Sequence, residues 1–417
     1  MIKKNSSWSS VILLTLLYVV NFADRTILNI LFTPIKEEFL LSDFELAFLS
    51  STSFTFFYAT LGIILGRYAD RYKRTILIAI GAIIWSIATL LIGFADSFLF
   101  IAICRICVGI GQSFFFPSAI SLLSEIVSSE RRGAVMGFFS TAIAIGIGIS
   151  FIIGGAIVSE SGWRTVMIIA GLPGIILGAI IFFVNEPERN NISAGNKINL
   201  RSSWNEYKKH KLIFIHSIGY GFFAVSSTSI NVWLPTYFQR VFALSVKDSA
   251  ILVGSMVLFV GVPAIILSGM ASDFARRKFR GGRMYLSSYL AALSIIFWLI
   301  MLMSSNYYVQ LIALPILVLT GFSWYGAAIS DIVEIVPISI VAFASGVYIF
   351  FVTLFNSAIS PLVYGYMNDL LFKIYPNGEG IRLTLFLSPI SAFIGAVLLF
   401  YGSKKMNLQQ SQNNISN

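Results

Sequence analysis

The chain has 417 residues, of which 57% are hydrophobic and 12% charged, against roughly a quarter charged in soluble domains. That much apolar surface cannot be hidden in the cores of a soluble protein of this length, so its solvent is lipid. The formal charge of +10 does not mark a nucleic-acid binder, because Lys and Arg stand in short clusters between apolar runs rather than in one patch.

In lipid every backbone N–H and C=O must be paired internally, which leaves helices or a closed barrel. The apolar runs are about 20 residues long rather than alternating segments of about ten, so helices are expected. Twelve spans are predicted: 9–33, 46–66, 75–95, 98–123, 134–158, 163–184, 211–238, 249–271, 284–304, 307–331, 338–366 and 383–402. The first stretch is long enough to span and carries no small-residue cleavage pattern, so it is expected to stay. The polar run from Asn185 to His210 divides the chain into an N-terminal six-helix bundle over 1–186, a linker over 187–209, and a C-terminal bundle with a short tail over 210–417. The fold class is thus an all-α membrane protein of two pseudo-symmetric six-helix bundles. Only Lys36, Arg164, Arg240, Lys247, Lys373 and Arg382 fall on one side of the membrane, whereas the connections around Arg71, Lys209 and Arg276 are strongly basic. The positive-inside rule therefore predicts cytoplasmic termini, in an inner membrane.

Charges inside spans cost several kcal/mol against acyl chains, about 2.5–3.5 for Asp or Arg on insertion scales, and so mark candidate function. In the first span Tyr18, Asn21, Arg25 and Leu28 share a helical stripe, with Asp24 on its flank. The stripe is expected to line a central cavity, with Asp24 as the coupling carboxylate and Arg25 meeting an anionic or polar head group; mutual neutralisation of Asp24 and Arg25 is the alternative. In the fourth span Arg105, Gly109 and Gln112 share a face, suited either to an anion or to a tie between Arg105 and Asp24. Polar positions in the second half include His216, Tyr220, Ser227 and Asn231 of the seventh span and Tyr348, Asn356, Ser360 and Tyr364 of the eleventh. Tyr220, Asn231 and Asn356 are taken as substrate contacts, although interhelical hydrogen bonding also explains such residues. Asp331 and Glu334 are placed at the membrane interface. Cys104 and Cys107 form a C-x-x-C inside an apolar helix and read as small buried hydrophobes. No nucleotide loop, Ser/His/Asp set or metal-spaced His pair occurs, so no enzyme activity, metal or cofactor is expected.

Gly66-Arg-Tyr-Ala-Asp70-Arg71-Tyr-Lys73-Arg74 recurs in part as Gly269-Met-Ala-Ser-Asp273 with Arg276 and Arg277, at the matching place in the second half. The first copy resembles the loop between helices two and three of the major facilitator superfamily. Asn21-Phe-Ala-Asp24-Arg25, Arg105-Ile-Cys-Val-Gly-Ile-Gly111, Gly162-Trp163-Arg164 and Leu234-Pro235-Thr-Tyr-Phe-Gln239-Arg240 are similar to the bacterial spinster-like group within it. The resemblance implies secondary transport by alternating access of a small or amphipathic solute, coupled to protons or another cation, by a monomer in the bilayer. It also implies a cytoplasmic gate of Gly66, Asp70, Arg71, Arg74 and Asp273, with Glu125 as a partner. Where that group usually carries Glu after the Gly-x-Gly of the fourth span, this chain has Gln112, which cannot titrate. Drug or siderophore efflux, and a non-transporting sensor on the same fold, remain the alternatives.

Overall fold

The computed structural model describes residues 6–69, 72–128, 131–184, 186, 200–278, 281–337, 340–376 and 378–415. Helices account for nearly all of them: α1 Ser6–Thr26, α2 Phe32–Phe39, α3 Asp43–Ala47, α4 Ser53–Ala69, α5 Arg74–Ile92, α6 Phe98–Ser113, α7 Phe115–Ile126, α8 Arg132–Phe182, α9 Leu200–Lys209 and α10 Leu212–Val232. Then come α11 Leu234–Phe242, α12 Val246–Met256, α13 Val262–Lys278, α14 Gly282–Met303, α15 Tyr307–Phe322, α16 Tyr325–Ile335, α17 Val341–Thr353, α18 Ser360–Phe372, α19 Glu379–Thr384 and α20 Leu387–Ile415. Among the described residues, ten helical stretches are long and apolar enough to cross a membrane. One of them, Ala134–Phe182, contains two spans joined at Gly162, where φ of 75° breaks the helix. The second span, α3 to α4, runs into residues that are not described. The fold is that of twelve helices.

Most spans are not single rods. α1 passes through a 3₁₀ segment, Ile27–Leu31, into α2, and α3 through a π segment, Phe48–Thr52, into α4. A change of helical pitch leaves carbonyls without their regular partners, and these become acceptors for side chains. The breaks at Phe114 and Trp233 fall shortly before Pro117 and Pro235, each in the first turn of the next helix, where proline is tolerated. The segment expected as a linker contains a described helix, α9.

The chain forms two compact units. The first comprises Met1–Pro187 with Ser229–Val262 and Ser357–Leu385; the second comprises Glu188–Thr228, Pro263–Asn356 and Phe386–Asn417. In the first unit Gly109 of α6 lies so close to α4 that an added Cβ would sit 2.4 Å from the Phe54 carbonyl oxygen. In the second, Tyr220, Met284, Ala328, Ile332 and Tyr348 belong to one buried core.

Candidate functional site

The first unit holds a buried polar site where α1, α4 and α6 meet. Arg105 of α6 is fully buried, and its guanidinium is taken up by backbone carbonyls. Nε donates to Leu49 O at 2.9 Å, Nη1 to Asp24 O at 3.1 Å, and Nη2 to Arg25 O at 3.3 Å and to Ser50 O. Leu49 and Ser50 lie in the π segment, and Asp24 and Arg25 precede the 3₁₀ segment, so the irregular pitch supplies the acceptors. The expected tie between Arg105 and Asp24 therefore runs through the Asp24 backbone, not its carboxylate. Its Nε and both Nη atoms thus donate to backbone carbonyls.

Arg25 is placed differently. Its guanidinium carbon stands 4.7 Å from the centre of the Phe22 ring, 4.7 Å from Phe54 and 4.6 Å from Tyr58. Nη2 donates to Gln112 Oε1 at 3.3 Å, and Nε is buried without an acceptor. Phe54 lies between the two arginines, with the Arg105 guanidinium 5.5 Å from its centre. Among the described residues no carboxylate oxygen lies within 4.0 Å of Arg25, so rings and an amide hold this cation without neutralising it. Gln112, fully buried, orients itself by donating from Nε2 to Asn21 O at 3.0 Å.

Further unpaired polar atoms lie in the same unit. Both carboxylate oxygens of Asp24 are buried without a hydrogen-bond partner, as are Asn21 Nδ2, Asn29 Oδ1 and Asn231 Oδ1. Trp85 Nε1 and Thr89 Oγ1 are likewise buried without a hydrogen-bond partner. Within this unit the Asn231 carbonyl accepts from Asn29 Nδ2 at 3.2 Å. Tyr18 is packed in an aromatic stack, its ring 4.4 Å from Phe139 and 5.6 Å from Phe115. Tyr220 and Asn356 belong to the second unit.

Of the residues expected at a cytoplasmic gate, Asp70 and Arg71 lie outside the described residues, as does the side chain of Gly66's neighbourhood. Arg74, fully buried at the start of α5, bonds Glu125 of α7 at 2.5 Å, Glu186 at 2.5 Å and Ser121 at 3.1 Å. In the second unit Arg283 at the start of α14 bonds Glu334 of α16 at 2.7 Å and Asp273 of α13 at 2.9 Å. Each Arg–Glu pair is separated by 51 residues of chain. The pairing repeats although the surrounding sequence does not.

One cluster in the first unit escaped the sequence reading. Ser42 and Glu45 form a reciprocal cap that starts α3, and Asp43 in its first turn is 1% exposed. Asp43 accepts from Arg240 of α11 at 2.5 and 2.7 Å and from Lys36 of α2. Burial works to raise its pKa, but the hydrogen bonds and charge of Arg240, with Lys36, outweigh this and hold it below the ordinary aspartate value. Asp369 of α18 accepts from the Asp43 and Phe44 amides at 2.8 and 2.9 Å, and Thr33 donates to Gln239 at 2.5 Å. Gly365 lets α18 approach, since a Cβ there would lie 2.6 Å from Asp43 O. Lys36 and Arg240 had been read for topology and as parts of family motifs, not as partners of Asp43; the Ser-x-x-Glu cap beside them was the available signal.

A multi-pass helical bundle with broken spans and buried, unpaired charge defines a membrane protein of the polytopic transporter type. The chain belongs to the Major Facilitator Superfamily, whose sequence profile matches residues 14–361. It is 23% identical to an MFS-type efflux pump of Mycolicibacterium smegmatis, over 96% of this chain and 93% of the relative. It is 26% identical to a probable L-galactonate transporter of Escherichia coli, over 65% of this chain and 62% of that one. The fold is similar to a crystal structure of a bacterial homolog of the human lysosomal transporter spinster, inward-facing and unoccupied. That likeness has a TM-score of 0.84 and 22% identity, and covers 98% of each chain.

Proposed function

We propose that this chain is a secondary active transporter that moves a small or amphipathic anionic solute by alternating access. The observation that carries the reading is Arg25, a cation held by three rings and an amide, with no carboxylate within ion-pair distance among the described residues. An anion brought to it replaces a weak amide contact by a charge-assisted one. Relatives named for L-galactonate, cis,cis-muconate and sulfoacetate, all carboxylates or sulfonates, support an anionic head group. Tyr18, Asn21, Gln112, Tyr220, Asn231 and Asn356 are the further contacts of this reading, and Asp24 its coupling carboxylate in the first half.

The two halves of the chain, 1–186 and 210–417, act as the moving bodies, with both termini on the cytoplasmic side of an inner membrane. Gly66, Asp70, Arg71, Arg74, Glu125 and Asp273 form the cytoplasmic gate, and the Asp43–Arg240 cluster closes the outer end. A monomer suffices for this cycle. The relative matching nearly the whole chain is called an efflux pump, which supports drug or siderophore export as a second reading.

Thermal-shift and proteoliposome flux measurements with L-galactonate, cis,cis-muconate, sphingosine-1-phosphate and ethidium separate the two. An anion that stabilises and is carried by wild-type protein, but not by Arg25→Gln, supports the first reading. Ethidium transport equal in both proteins, with no response to any anion, overturns it in favour of export.

A further inference from the structure

A second buried carboxylate lies far along the chain from Asp24. Asp331 is 1% exposed on α16 within the second unit, while Glu334 one turn on is paired with arginine. The Tyr220 hydroxyl of α10 donates to Asp331 Oδ2 at 3.0 Å and is itself 3.0 Å from Ser287 Oγ of α14. A phenol has one proton, so Ser287 donates to Tyr220 and Tyr220 to Asp331.

The charges around this group are already balanced. Arg276 of α13, Arg283 of α14 and Glu334 of its own helix act on it electrostatically, and Asp273 of α13 is tied to Arg283. Arg283 bonds Asp273 and Glu334, and Arg276 bonds Glu334. Two arginines thus meet two carboxylates, and Asp331 is a third with no cation within 4.0 Å among the described residues. His216, from α10, has Nε2 2.9 Å from Ala328 O, which makes that nitrogen the donor and leaves Nδ1 a buried lone pair without a partner. Its ring centre is 4.8 Å from Tyr220 and 5.2 Å from Tyr348 of α17, whose hydroxyl is also buried and unpaired. Neutral histidine adds no compensating charge.

An unpaired anion buried among Ile332, Met284 and Ala328 is costly, and taking up a proton removes the cost. A metal cation is a poor match, since hard cations need six or more oxygen ligands and the cluster offers one carboxylate and two phenols. The heavy-atom distances serve both protonation states. With Asp331 ionised, the chain of donation runs Ser287 to Tyr220 to Asp331. With Asp331 neutral it reverses, Asp331 O–H to Tyr220 and Tyr220 O–H to Ser287, and one proton has been gained.

We propose that Asp331 is an exchangeable proton site of the second half of the chain, held by Tyr220 and Ser287 in both of its charge states. Its use as a coupling site rests on the transport reading above; the protonation itself does not.

The test is infrared difference spectroscopy of the purified full-length protein across pH, in an Asp24→Asn background, which removes the other buried carboxyl that lacks a cation partner; Asp43, also buried, is held ionised by Arg240 and Lys36. A protonated-carboxyl band that fades as pH rises is expected, absent after Asp331→Asn. Tyr220→Phe removes the donor to the anion and leaves the acid form, so the band should persist to higher pH, with proton affinity raised about tenfold or more. A band unaffected by Asp331→Asn, or a midpoint unmoved by Tyr220→Phe, overturns the proposal. Because no solute is needed, failure of the anion screen leaves these results standing.

Discussion

Arg240→Ala should open the end of the molecule that carries Asp43. The substitution leaves a carboxylate that is 1% exposed with Lys36 as its remaining cation. Removing one partner of a buried ion pair costs about 3–5 kcal/mol. The Arg240 and Lys36 side chains are 20% and 31% exposed, so solvent screening and the surviving lysine reduce this to about 2–3 kcal/mol. Spent on the closed arrangement alone, that shifts the closed-to-open ratio about 30- to 150-fold. Spin labels at Leu40 and Tyr375, both exposed residues of the first unit, report the change by electron–electron distance measurement in a variant with Cys104 and Cys107 replaced by alanine. A second, longer distance should appear in Arg240→Ala and be weak in Arg240→Lys. Identical distributions in all three proteins would refute the argument that this ion pair holds the end shut. The pH behaviour follows from the sign of the Asp43 shift. A carboxylate whose folded pKa is depressed stabilises above its ordinary value, near 4, and loses that contribution only as pH falls through the folded value. Between pH 5 and 8, ranges that leave such a group ionised, the label distances should not move.

Asp24→Asn should abolish gradient-driven flux of a carried anion while leaving exchange of labelled for unlabelled solute; gradient-driven flux at the wild-type rate would remove Asp24 from coupling. Gln112→Glu places a carboxylate where Arg25 now donates to an amide, so anion affinity should fall about tenfold or more at neutral pH and recover in acid as the new group is neutralised. Affinity that stays flat with pH would show that Arg25 does not face the solute. Gly109→Ala brings a methyl within 2.4 Å of Phe54 O, which should cost about 1–3 kcal/mol in thermal stability and displace Phe54 from between the two arginines; an unchanged melting temperature counts against that close approach.

The spans and the family were legible because lipid imposes one strong rule, and runs of about 20 apolar residues satisfy it. The charges set within the apolar runs of α1 and α6 stood out for the same reason. Their roles did not. Arg25 and Arg105 look alike in sequence, and only the π segment at Phe48–Thr52 and the 3₁₀ segment at Ile27–Leu31 decide that carbonyls take up Arg105 while Arg25 keeps its charge uncompensated. Local pitch changes have no clear sequence signature. The burial of Asp331 was not legible because hydropathy locates a residue along the membrane normal but says nothing about which neighbours enclose it. Asp43 was missed because its partners are distant in sequence, Arg240 lying 197 residues away.

The repeated features separate scaffold from chemistry. Leu40 and Ala243 both end a helix with positive φ, 53° and 52°, and Ser42 and Ser245 cap the next one with an acidic residue three positions on. The Arg74–Glu125 and Arg283–Glu334 pairs repeat with equal spacing. What repeats is turn and clamp, the parts that set helix positions. Among the ionisable groups that do not repeat are Asp24, Arg25, Asp43 and Asp331. At the position of Asp43 the second copy has Val246, and at that of Asp331 relative to the Arg–Glu pair the first has Leu122. If selection had acted on these carboxylates for folding alone, the duplicated scaffold would need them in both copies or in neither. Single occurrence is what the proposed transport role expects of them, and that reading predicts a sharp division under substitution. Arg74→Ala and Arg283→Ala should each lower thermal stability by about 3–5 kcal/mol, as the loss of a partner from a buried ion pair does. Asp24→Asn and Asp331→Asn, which remove buried carboxylates with no cation within ion-pair distance among the described residues, should leave stability unchanged or improved while altering coupling and its response to pH. Destabilisation of the same size in all four variants would erase the distinction.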